Sequence, residues 1–140
     1  MDRRRFILAA GSLCGSLPLV LGACAGFRYV SYTRDGSLLV VKRADMEGSR
    51  FALLENPQLP RAIYLHRLDD GTFSAVLTRC MHLGCQVEPA GDRLACPCHG
   101  SEYSVTGEVL QGPAERTLYR YTVSADAQNI YIELPDPSIL

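Results

Sequence analysis

Two short boxes carry most of the chemistry open to this 140-residue sequence: CMHLGC at residues 80–85 and CPCHGS at residues 96–101. Together they hold Cys80, His82, Cys85, Cys96, Cys98 and His99, with ten residues between Cys85 and Cys96. Thiolate sulfur and imidazole nitrogen are the ligands of zinc and of iron–sulfur centres. In an oxidising compartment, paired thiols also form disulfides. Three assignments compete. A tetrahedral zinc site could take Cys-x-His followed by Cys-x-x-His, but structural zinc pairs are usually spaced two to four residues apart, and Cys85 and Cys98 would be left over. A cluster on four cysteines begins acceptably, because Cys80-x4-Cys85 fits the opening of one such pattern; the later spacing does not fit, and both histidines stay idle. A divided assignment gives one cysteine and one histidine of each box to metal and joins the remaining cysteines to each other. It uses all six residues, and spacing alone leaves all three assignments open.

The segments around the boxes must position them, and these read as short strands separated by turn residues. Residues 27–33 are aromatic and β-branched, Asp35-Gly36 is a turn signal and residues 38–42 make a second strand, so 27–42 is expected to form a hairpin. Residues 62–67 and 73–77 flank Asp69-Asp70-Gly71 in the same manner. Residues 118–123 and 130–134 flank the polar stretch 124–129. Residues 45–54 have room for one helical turn, but no window after residue 27 keeps a 3.6-residue period over three turns. Pro57 and Pro60 mark a loop, and Pro135 and Pro137 close the last strand. The expected fold is all-β, a small antiparallel barrel or sandwich with the two boxes as the loops of a metal-binding subdomain.

The length suits one domain with its own core. Charges of both signs are interspersed and the formal net charge is −1, so there is no basic stripe to follow a phosphate backbone, and nucleic acid is excluded as a partner. His66 lies on an alternating strand with no cysteine nearby and is expected to be an ordinary surface residue. Tyr119 and Tyr121 read as one face of a strand.

Residues 1–23 are set apart from this domain. Arg3, Arg4 and Arg5 open the chain, residues 6–27 carry no charge, and Gly11, Gly15, Gly22 and Gly26 dilute the apolar run. That pattern suits a cleavable export signal better than a permanent span. Arg3-Arg4-Arg5-Phe6-Ile7-Leu8 resembles the twin-arginine signal, which sends folded proteins out of the bacterial cytoplasm. Leu21-Gly22-Ala23-Cys24 resembles a lipobox, whose cysteine is acylated and becomes the new first residue, and acyl chains hold a protein at a membrane. Removing residues 1–23 takes away three arginines and Asp2, leaving 11 basic and 14 acidic residues. The expected organisation is an export signal at 1–23 and a metal-binding domain at 24–140. The domain is then on the periplasmic side of a bacterial membrane, anchored by lipid on Cys24 or by an uncleaved N-terminal segment. Cys14, inside the apolar run, is assigned no chemistry.

CMHLGC and CPCHGSEY resemble the paired motifs of Rieske iron–sulfur proteins, of the high-potential type found in cytochrome bc complexes and related respiratory chains. The resemblance is strong over residues 73–114 and architectural elsewhere. It implies one 2Fe-2S cluster with Cys80 and Cys96 on one iron, His82 and His99 on the other, and a Cys85–Cys98 disulfide pinning the two loops together. Ser101 and Tyr103 stand where that family donates hydrogen bonds to a bridging sulfide and a cysteine sulfur. Gly84 and Gly100 would let backbone amides approach the cluster, Leu83 would shield it, and Gly112-Pro113-Ala114 would cover its other side. Met81 departs from the threonine common in bc-complex members. With two thiolates instead of four the oxidised centre is neutral, so it accepts an electron more readily, within roughly −150 to +300 mV.

The function implied is that of an exported, membrane-associated electron carrier, a subunit of an oxidoreductase complex and not a stand-alone enzyme. Its histidine ligands would carry protons as well. A quinol would be the donor, beside a cytochrome b-type membrane subunit, and a c-type cytochrome the acceptor. The alternatives are the small Rieske subunit of a periplasmic molybdenum oxidase similar to arsenite oxidase, and a structural metal protein with no redox role.

Overall fold

The computed structural model describes residues 26–135; the expected export signal at 1–23, Cys14, Cys24 and Pro137 lie outside them. The strands in chain order are β1 (Thr33–Asp35), β2 (Leu38–Lys42), β3 (Phe51–Leu54), β4 (Ile63–Arg67), β5 (Phe73–Leu77), β6 (Glu88–Ala90), β7 (Arg93–Ala95), β8 (Glu102–Ser104), β9 (Val109–Gln111), β10 (Arg120–Ala125) and β11 (Asn129–Glu133). A 3₁₀ turn at Arg43–Met46 follows β2. They form a seven-stranded sheet ordered β1-β2-β11-β10-β5-β4-β3 and a four-stranded sheet ordered β6-β7-β8-β9.

Alternation along the strands explains how the two sheets meet. Leu39 and Val41, Ala52 and Leu54, Ile63 and Leu65, Ala75 and Leu77, and Ile130 and Ile132 all belong to one buried cluster. Successive side chains of a strand point to opposite faces. One face of the large sheet therefore buries its side chains against one another, which requires the sheet to curl around them. The intervening residues Leu53, Tyr64 and Val76 make a second cluster with Val87, Leu94, Tyr103, Cys80 and Cys96. Leu53 pairs with Tyr64 and Tyr64 with Val76 in the β3–β4–β5 register. This cross-strand row is the platform on which the small sheet and both cysteine boxes sit.

The small sheet approaches the platform closely at the β8–β9 turn. Gly107 has φ +88°, and a Cβ there would lie 3.1 Å from Leu118 Cβ and 3.2 Å from Val76 Cγ1. Left-handed backbone disfavours any side chain, and overpacking a filled core adds its own cost. Gly107→Ala is thus expected to destabilise the fold by about 2 kcal/mol, read as a lower denaturation midpoint with an unchanged slope.

The all-β architecture agrees with the sequence reading, and so does the 63–77 hairpin. The first hairpin is smaller than expected. β1 begins only at Thr33, and a two-residue turn at Gly36, with φ +59°, returns it to β2. Residues before it run beside β3 instead: Tyr29 bridges Leu53 in parallel, Val30 N donates to Leu53 O at 3.0 Å and Leu53 N to Arg28 O at 2.8 Å. The helical turn falls at Arg43–Met46, starting two residues ahead of the expected window and overlapping its first two, and the end of that window is strand β3. The last pair is shifted, to β10 and β11, because Asp126 accepts from the backbone N of Gln128 and Asn129, each at 2.7 Å, and so fixes the turn.

Candidate metal centre

Each cysteine box folds as the same closed loop. In the first, between β5 and β6, Cys80 N donates to Cys85 O and Gly84 N to Cys80 O, both at 2.8 Å. In the second, between β7 and β8, Cys96 N donates to Ser101 O at 2.8 Å and Gly100 N to Cys96 O at 3.0 Å. Gly84 and Gly100 close the loops with φ of +78° and +80°, a conformation glycine adopts at little cost. The first loop is pinned at its base by buried Thr78, whose N and Oγ1 both donate to Ala62 O, at 3.0 and 2.8 Å, while Gln86 Nε2 donates to Thr78 Oγ1 at 2.8 Å.

A Cys85–Cys98 disulfide joins the loops. Cys80 and Cys96 are the free cysteines among the described residues, and both are buried. The His82 and His99 rings meet edge to face with centroids 4.7 Å apart. His82 Nδ1 is buried with no hydrogen-bond partner, an arrangement that costs free energy unless a further group satisfies the nitrogen. His99 is exposed.

Two buried thiols, an orphaned ring nitrogen and a second imidazole beside it form a donor set that fits an iron–sulfur cluster with mixed sulfur and nitrogen ligation. The sulfurs of Cys85, Cys96 and Cys98 also lie within 4.8 Å of one another. That trio is not a metal site, because two of its sulfurs are already bonded to each other.

Tyr103 and Ser101 are fully buried, and their backbone neighbours fix where their hydroxyl hydrogens can go. Met81 N donates to Tyr103 Oη at 3.1 Å. The phenol then directs its own hydrogen to Cys80 Sγ, 3.4 Å away. Burial, followed by that bond to Cys80, pushes the Tyr103 pKa up to about 12, so it remains a donor. Burial works against a thiolate at Cys80, but hydrogen bonds from Tyr103, the His82 backbone, Cys96 and Ser101 outweigh it and hold the pKa below the usual thiol range. At Cys96, burial and the neighbouring Cys80 outweigh backbone hydrogen bonds from Cys98 and His99 and raise its pKa. Ser101 Oγ accepts from Ala114 N at 3.0 Å, which leaves its hydrogen to donate.

That bond also brings the Gly112-Pro113-Ala114 segment to the second loop. Gln111 Nε2 adds a second tie, donating to Gly100 O at 3.0 Å. Neither Gln111 nor Thr78 carries a signal in sequence, since each acts through backbone carbonyls that only the folded chain brings near. Leu83 is 69% exposed and takes no part in either core. His66 is not an ordinary surface residue: it is half-buried, stacks on Tyr64 and has Nδ1 2.8 Å from the Tyr64 hydroxyl. Burial, reinforced by Arg50 and opposed by Asp69, lowers its pKa.

A profile of the Rieske 2Fe-2S domain matches residues 30–122. Over 66 residues the chain is 38% identical to the cytochrome b6-f complex iron-sulfur subunit of Chlorobaculum tepidum, covering 46% of this chain and 36% of that one. Over 53 residues it is 47% identical to the subunit of the same name from Synechococcus sp. strain JA-3-3Ab, covering 36% of this chain and 31% of that one. The matched stretch thus spans about a third of these relatives. Among solved structures, the plasma membrane Rieske protein of Synechocystis PCC 6803 is 33% identical with a TM-score of 0.58, covering 66% of this chain and 94% of that one. The complex of oxygenase and ferredoxin in carbazole 1,9a-dioxygenase contains a chain 21% identical with a TM-score of 0.56, a likeness of fold alone; the match covers 71% of this chain and 94% of that one.

Proposed function

The chain belongs to the Rieske 2Fe-2S domain family, and from that we propose that its single cluster is held by Cys80, Cys96, His82 and His99 and serves a membrane-bound quinol:cytochrome c-type oxidoreductase. When bound, a cluster of this kind supplies a one-electron site in the range of roughly −150 to +300 mV. The observation that carries the ligand assignment is the orphaned Nδ1 of His82 beside two buried free thiols. Cys85 and Cys98 clasp the loops, Gly84 and Gly100 give their backbones room, Leu83 covers the solvent side, and Pro113 covers the side opposite. His99, exposed on the second loop, offers a quinol a hydrogen-bonding contact.

The Tyr103 and Ser101 hydroxyls favour the electron-rich form of the centre. Hydrogen bonds to charged groups contribute roughly 1.5–3 kcal/mol, of which only the part that differs between oxidation states moves the potential. A difference of about 1.4 kcal/mol corresponds to about 60 mV for one electron. Tyr103→Phe and Ser101→Ala are each expected to lower the potential by several tens of millivolts while the cluster is retained, as read by redox titration of its electron paramagnetic resonance signal.

The chain divides into an export signal at 1–23 and the cluster domain at 24–140, anchored at the periplasmic face of a bacterial membrane through lipid on Cys24 or an uncleaved N-terminal segment. Among the described residues no helix is long and apolar enough to cross a membrane. Intact mass of the membrane-extracted protein tests the anchor: an acylated chain beginning at Cys24 supports lipidation, and one beginning at Met1 supports a span. A cytochrome b-type subunit is the partner and a c-type cytochrome the acceptor. This follows the cytochrome b6-f names of the relatives. One observation favours the small subunit of a periplasmic molybdenum oxidase instead: the chain is bonded to β3 from Arg28 onward, four residues after Cys24, which leaves little tether for a head that must travel. Rapid reduction by quinol in the presence of a cytochrome b membrane complex, blocked by quinol-site inhibitors, supports the first reading. Reduction solely through a molybdenum subunit replaces it with the second.

A further inference from the structure

Phe27 and Tyr29 are large aromatic side chains left in the open, 41% and 53% exposed. The backbone that carries them is held to β3: Leu53 N donates to Arg28 O at 2.8 Å, Val30 N donates to Leu53 O at 3.0 Å, and Tyr29 bridges Leu53 in parallel. Extended backbone sends alternate side chains to opposite faces. Arg28 accordingly turns away and donates from Nη1 to Glu47 O at 2.9 Å, while Phe27 and Tyr29 together line a cleft of about 490 Å³ with Leu53, Leu59, Pro60 and Pro89. Glu55, Arg61 and Glu88 bring charges of both signs to its walls, so charge does not select an occupant. Leu53 is buried in the same cluster as Cys80 and Cys96, and the aromatic pair is thereby fixed to the platform of the metal centre.

What this pair meets follows from the chain before it. Phe27 is three residues after Cys24, and three residues of fully extended chain reach roughly 10 Å. For an anchor that spans instead, residues 6–27 are the uncharged run, and the roughly 20 residues needed to cross a bilayer end close to Phe27. Either anchor brings Phe27 within roughly 10 Å of the hydrocarbon boundary, the depth of the headgroup layer and little more. We propose that the Phe27–Tyr29 edge docks on the lipid bilayer surface, with both rings in the headgroup layer, so that the cluster is held at a fixed tilt to the membrane. The inference rests on the anchor proposed above and adds to it the face that meets the lipid. Aromatic side chains favour this layer, where the ring touches apolar chains and a tyrosine hydroxyl stays wet. Two rings are a small patch for a free protein, but once the anchor holds the chain their docking is intramolecular and needs little energy of its own. Being apolar, the contact is not weakened as salt shortens the screening length.

The full-length protein, extracted from membranes with its cluster, is reconstituted into vesicles of phosphatidylethanolamine and phosphatidylglycerol that contain no other protein. The sequence has no tryptophan, so Phe27→Trp and Leu110→Trp each introduce a single reporter. Leu110 is 57% exposed and lies on β9, three strands from β6, and hence roughly 14 Å from the edge that borders the cleft. Lipid brominated near the upper end of its acyl chains is expected to quench Phe27→Trp at least about threefold more than Leu110→Trp, and equally at low and molar salt. In oriented multilayers the electron paramagnetic resonance signal of the reduced cluster is expected to change with the angle between the field and the membrane normal. Phe27→Ser/Tyr29→Ser is expected to lose that dependence while staying in the membrane fraction. Phe27→Trp keeps a large aromatic ring, so the quenching comparison stands even where the double variant fails to fold. Equal quenching at the two positions, or equal orientation of parent and double variant, overturns the docking face and leaves the anchor intact. A parent protein that alkaline carbonate washes from the vesicles overturns the anchor, and the docking face with it. Orientation present in native membranes and absent in the vesicles overturns the lipid surface in favour of a membrane-protein partner.

Discussion

Cys96→Ser is expected to yield a colourless protein whose iron and acid-labile sulfide fall to background, whereas the parent chain should hold about two of each and no zinc, as a 2Fe-2S centre requires. Cys96 is 2% exposed and packs among Val87, Leu94 and Tyr103, so a serine there would sit at the same place with a hard oxygen where the centre needs a soft thiolate. Cys80→Ser should do the same. His82→Leu should abolish the cluster too, with far less harm to the fold, because it removes a buried nitrogen that has no partner in the chain. The competing trio Cys85, Cys96 and Cys98 makes the opposite forecast for two of these positions: Cys85→Ser would then abolish metal binding and Cys80→Ser would spare it. Metal and sulfide analysis of the two variants, with circular dichroism to confirm folding, separates the possibilities. One zinc per chain and no sulfide in the parent would end the cluster assignment altogether.

Box residues were legible because their types are rare and their spacing is tight; the elements beneath them were less so. Strands β6 to β9 have three residues each, too few to display a period of two, and their sheet escapes any periodicity argument. The segment at residues 27–32 illustrates a different limit. Its aromatic and β-branched content correctly signals extended backbone, but composition does not name a partner, and that partner is Leu53 in parallel across more than twenty residues of chain. The 63–77 hairpin was readable because both strands and the turn between them are local. At the site itself, the presence of the Tyr103 hydroxyl can be read from the sequence, but its hydrogen's direction cannot, since that depends on Met81 N occupying the oxygen from the other side. His66 was misjudged for a related reason: an alternating strand reveals which face a side chain takes, but not that Tyr64, two residues earlier, bends its hydroxyl to meet the ring.

The Cys85–Cys98 bond closes a loop across a sequence separation of 13, and chain-entropy arguments give a loop of that size about 3 kcal/mol of stabilisation. Cys85→Ala/Cys98→Ala is therefore expected to lower the stability of the cluster-free protein by about 3 kcal/mol and its midpoint temperature by roughly 10–15 °C, given the usual scaling for a domain near 110 residues. Reducing agent should reproduce the loss in the parent and have no effect on the double variant. The consequence for the site follows from what else links the two loops. Among the described residues, Tyr103 hydrogen-bonds Met81 N and Cys80 Sγ of the first box, Cys96 and Ser101 of the second box also hydrogen-bond Cys80, and Ser101 and Gln111 tie the second loop to the proline segment. Without the disulfide, these hydrogen bonds and the shared apolar cluster must hold Cys80 and Cys96 in register by themselves. The variant should consequently still bind iron and sulfide, but release them to a chelator many times faster than the parent. Identical unfolding curves for oxidised and reduced apoprotein would show that the loops are held by packing and that the disulfide is not a structural clasp.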